Sequence, residues 1–295
     1  MTATPPPELS SPELAAASVF SRRDPLGQRL RRSTPFVAGS VLTGLILLLV
    51  LFGPLFLPST TAQDFDAFLA GPSAHHLLGT DQLGRDLLAR LVSAGRTDLR
   101  IAVVALLFPA LFGVLIGTLA GYLGGWFDTV VQRLVDIVVA FPFYVLIIAL
   151  VFVVGPGESG IYTALALVGW VSYARITRNA TAVTASQDWV VAARQGGLST
   201  PRVLLRHVLP HTATQAVVLF ASDIVVVIVA VITLGYLGLG IAPPTPDWGT
   251  MIFESRSFIT SKWWLPALPG FAVVLTGLGF SLLGDGIADV WRVRR

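Results

Sequence analysis

Apolar residues in this chain gather into long unbroken runs instead of alternating with polar ones. Three runs carry no charge, at residues 36–57, 101–126 and 263–284. Two more, 134–156 and 211–239, each admit a single acid, Asp136 and Asp223. A sixth, 161–174, holds 14 uncharged residues and reaches spanning length only when extended back past Glu158 to Gly155. A helix crossing the hydrocarbon layer needs roughly 20 apolar residues. The pattern therefore predicts an all-α integral membrane protein with six spans. The first run is longer than the roughly 7–15 apolar residues of a secretory leader, and no clear small-x-small cleavage site follows it. It reads as an uncleaved spanning helix.

Composition agrees with a lipid-facing surface. Only 13% of residues are charged, about half the usual share of a soluble domain. Cysteine is absent, which excludes disulfides, thiolate metal sites and a cysteine nucleophile. The net charge of +3 is small and dispersed, and does not point to nucleic acid. Distribution of the basic residues carries topological information, because cytoplasmic loops are enriched in Lys and Arg. With the N-terminus inside, fourteen basic residues fall on inner segments: Arg22, Arg23, Arg29, Arg31, Arg32, Arg133, Arg175, Arg178, Arg194, Arg202, Arg206, Arg292, Arg294 and Arg295. Six fall outside: Arg85, Arg90, Arg96, Arg100, Arg256 and Lys262. Both termini are expected on the cytoplasmic side.

Gly113, Gly117 and Gly121 place a small residue every four positions on one face of the second run. In lipid, close backbone approach supplies much of the packing energy between helices, so this stripe predicts a tight helix–helix contact.

Residues 188–210 form the most informative polar segment. Asp188 suits a helix cap, and Gly196-Gly197 suit the end of that short helix. Thr200-Pro201 suits the start of a second, with threonine as cap and proline at the first position. Pro210 is expected to break this second helix before the fifth span. The second helix carries an apolar face (Val203, Leu204, Val208) and a basic one (Arg202, Arg206, His207), while Ala192 and Ala193 leave a shallow surface on the first. From these residues alone, docking into a groove of another protein and resting on lipid headgroups are equally open.

The spacing Ala192-Ala193, three residues, Gly197, then Leu209-Pro210 resembles the coupling loop of ABC importer permeases. Val191 stands where that loop often has an acid. Further blocks resemble the C-type permease of dipeptide and oligopeptide importers: GTDQLGRD at 79–86, YLGGWFD at 122–128 followed by Arg133, Asp136 and Phe141-Pro142, LGLG at 237–240, PPTPDWG at 243–249, Trp263-Trp264, and LGDG at 283–286. The resemblance runs from the first span to the end of the chain. It implies a type I importer bundle with cytoplasmic coupling helices, divided into a cytoplasmic segment (1–35), the first span with an extracytoplasmic segment (36–97), a permease core (98–290) and a short tail (291–295).

It further implies a homologous permease as partner and one fused or two separate ATPase subunits, which hold the ATP and magnesium. An extracytoplasmic binding protein would deliver a peptide. The residues implied in ATPase coupling are Ala192, Ala193, Gly197, Arg206, His207 and Pro210. Importers of nickel and other small solutes share these blocks, so substrate stays open within the family.

Other chemistry finds little footing. A phosphate-binding loop needs a lysine after a glycine-rich turn, and Lys262, the sole lysine, sits in TSKW. The chain is expected to be non-catalytic and to hold no cofactor. His207 and His211 have helical metal-ligand spacing, but the expected break at Pro210 and the lack of a nearby acid favour a structural role. His75-His76 suit a surface role better than ligation. Acids in or near spans are costly: Asp136 has Arg133 three positions away, Asp285 lies near the inner surface, and Asp223 is deepest with no local partner. Such acids can line a polar pathway that meets a peptide's amino group, or pair with arginines and cap helix ends; both roles are open for Asp223, which is the candidate pathway residue. An ion-coupled secondary transporter using Asp223 as a proton site is a rival reading, but the internal repeats common in such folds are not evident.

Overall fold

A computed structural model describes residues 26–292. The N-terminal residues through 25, with Arg22 and Arg23, and the tail arginines Arg294 and Arg295 lie outside the described residues. Among the described residues the chain is helical, with no strand. A short helix α1 (Leu26–Arg32) leads into α2 (Thr34–Phe52), whose start is capped by Ser33 accepting from the Phe36 amide at 3.4 Å. A 3₁₀ turn carries α2 on to Leu55. An irregular segment follows, before α3 (Leu87–Leu123).

The second run is much longer than its apolar stretch suggests. At 37 residues, α3 is about 55 Å long, and it begins fourteen positions before residue 101. Arg90, Arg96, Asp98 and Arg100, read from the sequence as outer-loop charges, lie on this helix. Gly124 (φ 64°) and Gly125 (φ 58°) end it by leaving the right-handed region.

The run at 134–156 is not one straight helix. α4 (Gly125–Val139) and α5 (Phe143–Val154) meet at an 87° bend across residues 140–142. Pro142 excludes the helical conformation from the residue before it, and its ring sits at the start of α5. With 12 residues, α5 covers about 18 Å, short of the roughly 30 Å hydrocarbon core.

Helix α6 (Glu158–Ala185) has 28 residues and continues well past Ala174, taking up Arg175 and Arg178. It packs along α3 through the glycine stripe. A methyl group at Gly113 would strike the Trp170 carbonyl, at Gly117 the Ala174 carbonyl and Thr177 hydroxyl, and at Gly121 the Arg178 carbonyl. The sequence expectation of a tight contact holds, with α6 as its partner. α6 is long enough to cross a bilayer but too polar for its composition to identify it as a span. Four helical stretches are both long and apolar enough, at 34–55, 87–123, 200–236 and 264–290, or five if α4 and α5 form one bent span.

The remaining elements are α7 (Asp188–Gln195), α8 (Thr200–Val203), α9 (Leu209–Tyr236), α10 (Trp248–Ser255) and α11 (Trp264–Arg292). α11 packs against α2, with Gly39 set directly on the Leu283 backbone. The main core joins α3, α6 and α9 through residues such as Ile101, Leu106, Ile161, Leu165, Ile228 and Leu234. Large apolar side chains stay exposed on the outside, including Leu45, Leu48, Leu111, Phe152, Val153 and Phe271, as a lipid-facing bundle requires.

Candidate functional site

The polar segment between α6 and α9 is a pair of short helices fixed to the end of α3. Its apolar underside, Val190, Val203, Leu204 and Val208, is buried against Leu119 and Tyr122 of α3. Arg194 lies over the Tyr122 ring, 5.4 Å from its centroid, a contact in which the ring's negative face meets the cation. Gly197 makes the turn between the helices with φ 81°. The opposite side of the pair is open: Ala192, Gly197, Arg202 and Arg206 are exposed, and Ala193 is half-buried.

Three local expectations are corrected. Asp188 and Thr200 are the first residues of α7 and α8, not caps; the preceding Gln187 and Ser199 make no side-chain cap bond. Pro210 does not break the helix. Residues 200–236 run on as one helix, because the turn Leu204–Val208 widens to π geometry just before the proline. The wider turn accommodates the missing amide and the ring that would otherwise press on the preceding carbonyls. With the helix continuous, His207 and His211 share one face and both meet Trp189 of α7, at ring-centroid distances of 6.0 and 5.2 Å. These histidines clamp α7 to the start of α9. Among the described residues they belong to no group of three potential metal ligands.

The segment between α2 and α3, with the start of α3 and Glu254 of α10, contains a buried charge knot that the sequence did not reveal. Asp81 accepts from Arg85 Nε at 2.7 Å and from Arg90; both arginines also donate to Glu254 at 3.1 Å. Asp81, Arg85 and Arg90 are all under 8% exposed. Burial alone would raise the Asp81 carboxyl, but Arg90, the amides of Leu83 and Arg85, and the Arg85 charge together hold it below its ordinary value. Asp86 caps α3 by accepting from the Ala89 amide at 2.8 Å and is met by His76 Nδ1 at 2.9 Å.

The same side anchors α10. Asp247 caps it, accepting from the Thr250 amide at 2.9 Å. The Trp248 amide donates to Asp98 at 3.0 Å, and its indole N–H to the Leu91 carbonyl at 3.0 Å. Burial raises the Asp247 carboxyl despite the bonds from Thr250 and Gly249.

Asp81→Asn leaves two buried guanidinium groups short of a partner. Removing one member of a buried ion network costs on the order of 3–5 kcal/mol. The variant is expected to melt at lower temperature and to be cut by protease within 78–86, which is buried or half-buried in the unaltered chain.

Between α3, α5, α6 and α9 lies a cavity of about 450 Å³, lined by Leu106, Phe143, Tyr144, Leu165, Ser172 and Asp223 among others. Asp223 is half-buried at its wall. It has a neighbour that the sequence did not supply, the fully buried Tyr173 hydroxyl, which interacts with the Asp223 carboxylate. A second cavity of about 330 Å³ adjoins the first through Ser172 and is lined by Val139, Arg175, Asn179 and Leu219.

Residues 113–294, which include the two-helix segment and most of the lining of both cavities, match the family of binding-protein-dependent transport system inner membrane components. The chain belongs to this family. Residues 27–72 also match the N-terminal transmembrane domain of oligopeptide transport permease C. The dipeptide transport system permease protein of Alkalihalophilus pseudofirmus is 33% identical over 97% of this chain and 94% of its own length. A di/tripeptide transport system permease protein from Pseudomonas aeruginosa is 36% identical over 83% of each chain. A glutathione transport system permease protein from Escherichia coli is 36% identical over 89% of this chain and 87% of its own.

This permease is thus a multi-pass inner-membrane component of an ABC transport system that works with ATPase and substrate-binding partners. Its sequence-named residues fall in two places. Ala192, Ala193, Gly197, Arg206, His207 and Pro210 all lie on or beside the two-helix segment, whereas Asp223 lies on the cavity wall. The expected Arg133–Asp136 pair does not form; both residues are exposed on α4, and the ion pair there joins Asp128 to Arg178, with Nε to Oδ1 at 2.8 Å. The charge knot was missed because Arg90 and Glu254 are 164 positions apart. Its trace in the sequence was the GTDQLGRD block, whose Asp81 and Arg85 enter the knot and whose Leu83 amide bonds back to Asp81.

Proposed function

We propose that this permease imports short peptides, forming the path with a homologous permease and taking its drive from cytoplasmic ATPases that bind ATP and magnesium. The carrying observation is the two-helix segment: its apolar side is buried on α3 while its small and basic residues face outward. Ala192, Ala193 and Gly197 present a low surface that a groove on an ATPase can close over, and Arg206 and His207 supply the polar edge. Movement of the ATPases then passes through Val203, Leu204 and Val208 into α3 and, through the continuous helix at Pro210, into α9. Alternating access follows, with hydrolysis resetting the bundle.

The named substrates of the relatives, dipeptides, tripeptides and glutathione, support the substrate class. In this reading α6 is a span despite its polarity, with α4–α5 as one bent span, which makes six. The arginine distribution supports cytoplasmic termini, with the core at 98–290 and a binding protein docking on the outer segments. Asp223 serves the pathway. Co-expression with partner permease and ATPases, followed by measurement of ATP hydrolysis with peptide-loaded binding protein, tests the reading. Stimulation by peptide is expected; assembly with stimulation by a metal ion or another solute, but not by peptide, would reassign the substrate.

A further inference from the structure

Helix α6 has two contrasting faces. Tyr173, Ala174 and Thr177 are buried against α3. Ser172, Arg175 and Asn179, spaced to share the other face, are exposed. Arg175 has no ion pair among the described residues, unlike Arg178 one turn on, which is held by Asp128. It lies ten residues, about 15 Å, from the end of α6. Polar and ionisable side chains within a membrane bundle face its interior or a watery cavity, and here they line the two adjoining cavities. Ser172 is common to both; Asp223 stands across from α6 on α9.

Resting on the peptide-import reading, we propose that this face is a dipolar translocation groove in which Asp223 receives the ammonium group of a zwitterionic peptide and Arg175 its carboxylate, with Ser172 and Asn179 between and beyond them. A carboxylate and a guanidinium are the side chains that bind such groups by charge-assisted hydrogen bonds, the guanidinium in a two-pronged fork. Arg175 lies about 4.5 Å along α6 from Ser172, which lines both cavities, so the acidic and basic ends of the groove adjoin. The apolar end of the first cavity, at Leu106, Phe143 and Leu165, accepts side chains without demanding a particular one. Selection by the two termini, with a permissive apolar wall, suits a path that must pass many peptides.

The test uses the transporter assembled with its partner permease, ATPases and binding protein in liposomes, with radiolabelled alanyl-alanine as probe. Asp223→Asn and Arg175→Gln are each expected to cut uptake at least tenfold while ATP hydrolysis stays within twofold, and Asp223→Glu is expected to retain most uptake. Unchanged uptake in both neutral variants overturns the groove; so does a loss that Asp223→Glu fails to rescue or that tracks a fall in assembled complex. The cysteine-free chain permits an independent measurement. In Ser172→Cys, a charged, water-soluble thiol reagent is expected to label the single thiol during turnover, with labelling slowed by alanyl-alanine. A thiol that stays unlabelled overturns the proposal, whatever the other variants do. If the unaltered assembly takes up no peptide while Ser172→Cys is labelled, the substrate reading fails and the watery groove stands without its peptide.

Discussion

Ala192→Trp is expected to abolish uptake, by about a hundredfold or more, in a protein that still folds and inserts. Position 192 is exposed on α7, so a large side chain there meets no neighbour within the chain. On the proposed docking surface it would hold an ATPase groove off the Gly197 turn. A bulky residue at the centre of a docking patch that relies on shape fit costs on the order of 2 kcal/mol or more, and a hundredfold loss corresponds to about 2.7 kcal/mol. The measurements are uptake, ATPase co-purification and thermal unfolding of the isolated permease. Normal uptake with an unshifted melting curve would remove this surface from the coupling mechanism. Gly197 is a poorer probe, since its φ of 81° strains any side chain whether or not a partner docks. Val203→Asp makes the complementary case: Val203 is fully buried beneath the pair, and a charge there is expected to loosen the segment from α3 and show as faster amide exchange across 188–203.

Gly117→Leu is expected to prevent α3 and α6 from packing, so that little assembled protein is recovered. A side chain at this position would overlap the Ala174 carbonyl and the Thr177 hydroxyl. The obstacle is backbone, which a rotamer change cannot move. Thr177 is fully buried and donates to the Tyr173 carbonyl at 2.7 Å, so pushing α6 away also disturbs that bond. Overpacking commonly costs about 1–3 kcal/mol, and the rigid contact puts this variant at the upper end or beyond. Gly44→Leu in α2 is the control, since nothing lies within 4 Å of a methyl group there. The yield of monodisperse protein in detergent checks both. Equal yields would mean that the glycine stripe does not govern the α3–α6 contact.

These two helices also show where sequence reasoning stopped. Charge counts placed Arg90 and Asp98 in a loop because an unpaired charge ends an apolar run. Both are nonetheless in α3, because Asp81 and Glu254 neutralise Arg90 and the Trp248 amide meets Asp98. Likewise, α6 was shortened at Arg175, although polar residues on one face do not stop a helix whose other face is buried. Pro210 was read as a break because proline removes an amide; the π turn before it provides a local remedy that no pattern of residue types announces.

What the sequence by itself determined is local or additive. Unbroken apolar length identified the membrane class, the glycine spacing foretold a close helix contact, and Gly196-Gly197 with Thr200-Pro201 marked the end of one helix and the start of the next in a recognisable family loop. Each depends on neighbours within a few turns. Tertiary structure decided which helix meets the glycines, how Trp189 is held by His207 and His211, where the 87° bend turns the chain, and that Asp223 and Arg175 line adjoining cavities. The physical reason is that the cost of a buried charge or a close backbone contact depends on what stands opposite it, and in this chain the opposing group is often more than a hundred residues away.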